Sequence, residues 1–108
     1  MIAESREKGV PLFMSVVNAG EVWYIVAREV SQQQADEAVE SLVRMGVEFV
    51  DADWPLTRAA GTFKARYRMS YADCYAAALA QTRRAELVTG DKEFKEAEGE
   101  IRIRWLDT

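Results

Sequence analysis

Three carboxylates stand at strand exits or early helix positions: Glu21, Asp73 and Asp91. Glu21 lies on the helix after the first visible strand, and Asp73 in the first turn of an alanine-rich helix. Asp91 directly follows a strand, in Thr89-Gly90-Asp91. Acids at such positions can converge on one hard cation. Mg²⁺ takes oxygen ligands and keeps several waters, so a few carboxylates plus a substrate phosphate complete its shell. An ion held that way lowers the pKa of bound water and offsets charge on a scissile phosphate. The chain has no histidine and one cysteine, Cys74. That excludes imidazole bases, Ser-His-Asp triads, the usual zinc sites and any intramolecular disulfide.

Each acid also has a plainer reading. Ser70 and Asp73 are spaced as a capping box, with Asp73 three residues beyond the serine. Asp91 can N-cap the helix after it, and Glu21 can be a solvated helix residue. Lys64, Arg66 and Arg68 form a basic group that can steer a phosphate backbone or simply end a helix. Trp23, Tyr24, Tyr71 and Tyr75 can stack on bases, or pack as core or interface beside the alanines. Cys74 has no neighbouring base and reads as a small buried filler.

The elements that must position these residues follow from local signals. Residues 4–8 are charged and read as a helix tail closed by Gly9. Residues 10–14 form a short apolar run, hence a strand, and Ser15 N-caps a helix to about Arg28. Ser31 caps the next helix, with Gln34 at the capping-box position and Ala35, Ala38, Val39, Leu42 and Val43 as its apolar stripe. Gly46 ends it, and residues 47–50 read as a strand. Asp53 and Pro55 announce a helix carrying Leu56, Ala59, Ala60 and Phe63 on one face. Ser70 caps a further helix to about Arg84. Residues 86–89 form a strand, residues 92–97 a short helix, and Ile101, Ile103 and Trp105 alternate in a last strand. Strands alternating with helices predict an α/β fold with a mostly parallel sheet. Ligands of such sheets bind beyond the carboxyl ends of the strands, where these acids stand.

The bulk numbers are compatible with a single domain over residues 1–108. Apolar residues make up 49% of the chain and charged ones 30%, an ordinary globular balance. The net charge of −4 argues against a broad basic nucleic-acid surface, though not against an enzyme reaching a few phosphates through a metal. No apolar run approaches about 18 residues, so no membrane span is expected. The first residues lack a signal-peptide core, and the single cysteine fits a reducing cytoplasmic compartment.

Ser15-Val-Val-Asn18-Ala-Gly-Glu21-Val-Trp-Tyr24 resembles the second acidic motif of PIN-domain ribonucleases of the VapC toxin type. Lys64 to Asp73 resembles their third, where a serine-capped helix presents an aspartate. Leu87-Val-Thr89-Gly-Asp91-Lys-Glu-Phe94 resembles their fourth, followed by a terminal strand. The likeness spans nearly the whole chain, in order. It implies a three-layer α/β/α fold and an endoribonuclease dependent on Mg²⁺ or Mn²⁺. Glu21, Asp73 and Asp91 would be metal ligands, directly or through water, and the Thr89 hydroxyl would orient the site. It also implies an RNA substrate, a homodimer or higher oligomer, and an antitoxin protein that inserts a segment into the active-site groove.

One departure follows from the same resemblance. The family opens with a central strand ending in an aspartate, which this sequence does not present; it reads as a PIN domain truncated at its N-terminus. The sheet is therefore expected to lack its usual middle strand and the first acidic ligand, with inner strand edges exposed unless another chain or a rearranged pairing fills the gap. Weak or absent nuclease activity follows. The competing function is a noncatalytic remnant that dimerises or binds antitoxin. A receiver-like domain fits less well, because no acidic pair follows an early strand.

Overall fold

The computed structural model describes residues 2–4, 12–89 and 92–106. Strand β1 is Ile2–Glu4 and β2 is Leu12–Ser15; helices α1 (Val16–Glu29) and α2 (Gln32–Arg44) follow. Strand β3 is Val47–Val50, then come α3 (Trp54–Arg66) and α4 (Tyr71–Thr82). Strand β4 is Glu86–Thr89, a 3-10 helix spans Lys92–Ala97, and β5 is Arg102–Trp105.

The predicted caps form. Ser15, Ser31, Asp53 and Ser70 each accept a hydrogen bond from the backbone N–H three residues on, which satisfies one of the orphan donors of a helix start. Gly46 has φ of 95°, a left-handed conformation that glycine adopts without penalty, and this lets the chain turn from α2 into β3.

The five strands lie in the order β3-β2-β1-β4-β5. β2 pairs in parallel with β3, and β4 with β5; β1 runs antiparallel to both β2 and β4. The four longer strands therefore share one direction and the sheet is mostly parallel, as the sequence predicts. No parallel strand stands between β2 and β4, but the middle is filled: Ala3 sits opposite both Phe13 and Leu87. Two expectations are corrected here. Glu4 belongs to a strand, not to a helix tail, because backbone pairing on both sides outweighs a local polar pattern. The inner edges of β2 and β4 are paired rather than exposed. The rest of the expected tail, residues 5–8, and Gly9 lie outside the described residues.

The main core gathers around α4. All residues from Asp73 to Ala80 are buried, as befits a helix covered on every side. α4 packs against α1, α3, β1, β2, β4 and the 3-10 helix. Its alanines let those neighbours approach closely. Phe63, Met69, Leu87 and Phe94 fill the space around them. A smaller cluster of Met14, Ala19 and Val47 sits beneath Leu12, Leu42 and Phe49.

Candidate active site

The buried polar residues of the described chain are Ser15, Asn18, Asp73 and Thr89. Ser15 is the last residue of β2 and Thr89 the last of β4. Because these strands point the same way on either side of β1, both residues lie at one edge of the sheet, where the carboxyl ends emerge. Asn18 and Asp73 occupy the first turns of α1 and α4. Polar side chains are costly to bury without partners, and among the described residues none is left without one.

A hydrogen-bonded chain ties two of these elements together. Ser15 Oγ donates to Asn18 Oδ1 at 2.7 Å and accepts from the Asn18 N–H at 3.1 Å. Asn18 Nδ2 then donates to the carbonyl oxygen of Ala72 at 2.9 Å, one residue before Asp73. The Asp73 N–H donates to Ser70 Oγ at 3.1 Å. Asp73 is only 6% exposed, and its carboxylate sits in the first turn of α4, the positive end of the helix.

The predicted site residues fall as follows. Asp73 and Thr89 are buried at the carboxyl edge. Glu21 is partly buried on α1, one helical turn beyond Asn18. Asp91 lies outside the described residues. Among the described residues no three acidic or cysteine side chains stand close enough to hold a metal ion together. The donors on this edge are all oxygens, which suits a hard cation such as Mg²⁺ or Mn²⁺ and not a thiophilic one. Cys74 does not compete: it is buried, and burial pushes its thiol up, a rise that Lys64 opposes and Asp73 reinforces.

Two other groups considered from sequence are now placed. Lys64 Nζ donates to the Met69 carbonyl at 2.9 Å, and Arg66 binds Glu100, so two of the three basic residues close the end of α3. Tyr75 is buried and donates to Thr57 Oγ1 at 2.8 Å, while Tyr24 and Tyr71 are about half exposed. A cleft of about 500 Å³ lined by Ala80, Gln81, Arg84, Gly99 and Arg102 among others lies at the opposite end of the sheet, where β4 and β5 begin, and contains none of the site residues. Sequence reasoning gave Ser15 and Asn18 no role in the site. The available signal was one amide amid Val16, Val17 and Ala19, three residues past a capping serine.

Residues 2–100 match the family model described as PIN domain. The chain belongs to the PIN domain family. Solved structures share the fold of this PIN domain. VapBC2 from Rickettsia felis, bound to a DNA fragment from its promoter, aligns at a TM-score of 0.70 and 19% identity over 88% of this chain and 74% of that one. DNA-bound VapBC from Salmonella typhimurium aligns at 0.69 and 21% identity, over 85% and 73%. VapC20 of Mycobacterium tuberculosis, a toxin that cleaves the sarcin-ricin loop, aligns at 0.65 and 19% identity, over 79% and 68%. No curated protein matches the sequence. Among the described residues no helix is long and apolar enough to cross a membrane.

Proposed function

We propose that this PIN domain is an endoribonuclease toxin of the VapC type, hydrolysing RNA with a divalent cation, Mg²⁺ or Mn²⁺. The observation that carries the reading is the Asp73 carboxylate, buried at the carboxyl edge of the sheet in the first turn of α4. Few acids are buried in a small domain unless their charge is used or matched. In this reading Glu21, Asp73 and Asp91 hold the ion and the Thr89 hydroxyl orients the site. When bound, the cation supplies Lewis acidity and offsets phosphate charge. The protein's part is to hold its carboxylates in a fixed orientation. The family pattern adds a further aspartate to these three carboxylates, and an ion held without it is bound less tightly, so we expect weak cleavage. The partners that go with this reading are an RNA substrate, an antitoxin protein and a second copy of the chain, in the cytoplasm.

The test is cleavage of a structured RNA by wild type and Asp73→Asn, each with and without EDTA. Weak, EDTA-sensitive cleavage that disappears in Asp73→Asn supports the reading. Cleavage indifferent to EDTA or to the substitution overturns it. A second reading is a noncatalytic module that binds antitoxin or dimerises. A folded chain that neither cleaves RNA nor binds Mn²⁺, yet binds an antitoxin, would favour it.

A further inference from the structure

The amide of Asn18 does more than cap a helix. The cap of α1 is already supplied by Ser15, whose Oγ accepts from the Asn18 N–H. The Asn18 side chain is spent elsewhere. It is 1% exposed, its Oδ1 is held by the Ser15 hydroxyl, and its Nδ2 reaches the carbonyl of Ala72, 54 residues away. Ser15 can donate only to the oxygen end of the amide, so the nitrogen end is fixed on Ala72 and a flipped amide is disfavoured. The Ala72 carbonyl lies inside α4, where a helical N–H already serves it, so this bond is not needed to satisfy a stranded acceptor. It is a cross-link between two helix starts.

That cross-link joins the helix starts that carry two of the carboxylates of the proposed site. Glu21 is three residues beyond Asn18, close to the same face of α1, and Asp73 is the next residue after Ala72. We infer that Asn18 is a positioning residue, which fixes the separation of Glu21 from Asp73 by holding α1 to the first turn of α4. The inference rests on the ribonuclease reading. Side chains that orient ligand-bearing elements, without touching the ion, typically change metal affinity by about 10–100-fold when removed.

The test is Mn²⁺ affinity, measured by calorimetry on the full chain, for wild type, Asn18→Leu, Glu21→Gln and the double variant, with thermal unfolding in EDTA beside it. Leucine keeps the branched shape, though its methyl tips are larger, and loses both hydrogen bonds. If Asn18 acts through Glu21, Asn18→Leu weakens Mn²⁺ binding about tenfold in the wild-type background. In the Glu21→Gln background it then has little further effect, whereas a merely structural role lowers the unfolding temperature and the affinity alike in both. Should Asn18→Leu fail to fold, Asn18→Ser enters the same cycle, since its hydroxyl is too short to reach Ala72. Mn²⁺ binding by wild type that Asn18 variants leave unchanged, or weaken equally in both backgrounds, overturns this inference and leaves the ribonuclease reading standing. Absence of Mn²⁺ binding by wild type overturns both.

Discussion

Arg66 donates to Glu100 across 2.6 Å, joining the end of α3 to the turn before β5. Tyr67 donates its phenol hydrogen to the other oxygen of the same carboxylate. The two donors hold the Glu100 carboxyl below its ordinary value of 4.5, the Tyr67 bond contributing most. The same bond, helped by burial, raises the Tyr67 phenol above 10.0. The signs are opposite in their pH windows. Glu100 stabilises the fold above the ordinary glutamate value, and this is lost as pH falls through its lowered folded value. Tyr67 stabilises below the ordinary tyrosine value, and this is lost as pH rises through its raised one. Both groups are only partly buried, so the effect is modest and salt-sensitive. Thermal unfolding across pH should show wild type losing stability at both extremes more steeply than Glu100→Gln. Parallel curves for the two proteins would show that the triad contributes nothing.

Arg84 carries φ of 52°, a left-handed conformation for a residue with a Cβ. It stands where α4 ends, and the next N–H, of Ala85, reaches back to the carbonyl of Ala80 at 2.9 Å. This closing turn usually takes glycine. Arg84→Gly should therefore stabilise the domain by up to about 1 kcal/mol, read as a higher urea midpoint with an unchanged slope. A lower midpoint would mean that the arginine side chain contributes more than its backbone costs.

Ala77 and Ala78 are fully buried in a helix covered on all sides. Added volume has nowhere to go in an interior packed to crystal-like density. Ala78→Leu should cost about 1–3 kcal/mol, a large share of a small domain's stability. Denaturant unfolding checks this. A loss much below about 1 kcal/mol would mean that the neighbouring elements can spread to take it.

What the sequence made legible was local. Ser31, Asp53 and Ser70 cap their helices because a cap is decided within four residues, and the strands at Val47–Val50 and Glu86–Thr89 announce themselves by apolar runs between turns. What stayed hidden was set by distant pairing. Glu4 looks helical in its charged neighbourhood, but β2 and β4 claim it as a strand. The alternation of Ile2–Glu4 is too short to show a period. Asp73 could be singled out, since an acid three residues after a capping serine is visible in sequence. Its support from Asn18 could not, because the two meet only once the sheet has brought the starts of α1 and α4 together.

Ser70 and Asp73 separate the structural from the chemical use of one helix start. The cap bond runs from the backbone N–H of Asp73 to Ser70 Oγ, so it survives a change in the side chain at position 73. Asp73→Asn keeps the shape and removes the charge. It gives up an attraction to the positive end of α4 but also a buried carboxylate's desolvation cost, so these effects oppose each other. In EDTA its stability should stay within about 1 kcal/mol of wild type. Ser70→Ala loses the cap and should cost about 1 kcal/mol. Adding Mn²⁺ reverses the ranking of the defects. A ligand that binds only the folded state raises stability with its concentration, so wild type and Ser70→Ala should unfold later in Mn²⁺ while Asp73→Asn should not respond. Urea unfolding of the three proteins with and without the ion decides it. A Mn²⁺ response kept in full by Asp73→Asn would leave that aspartate without a part in holding the ion and remove the centre of the proposed site.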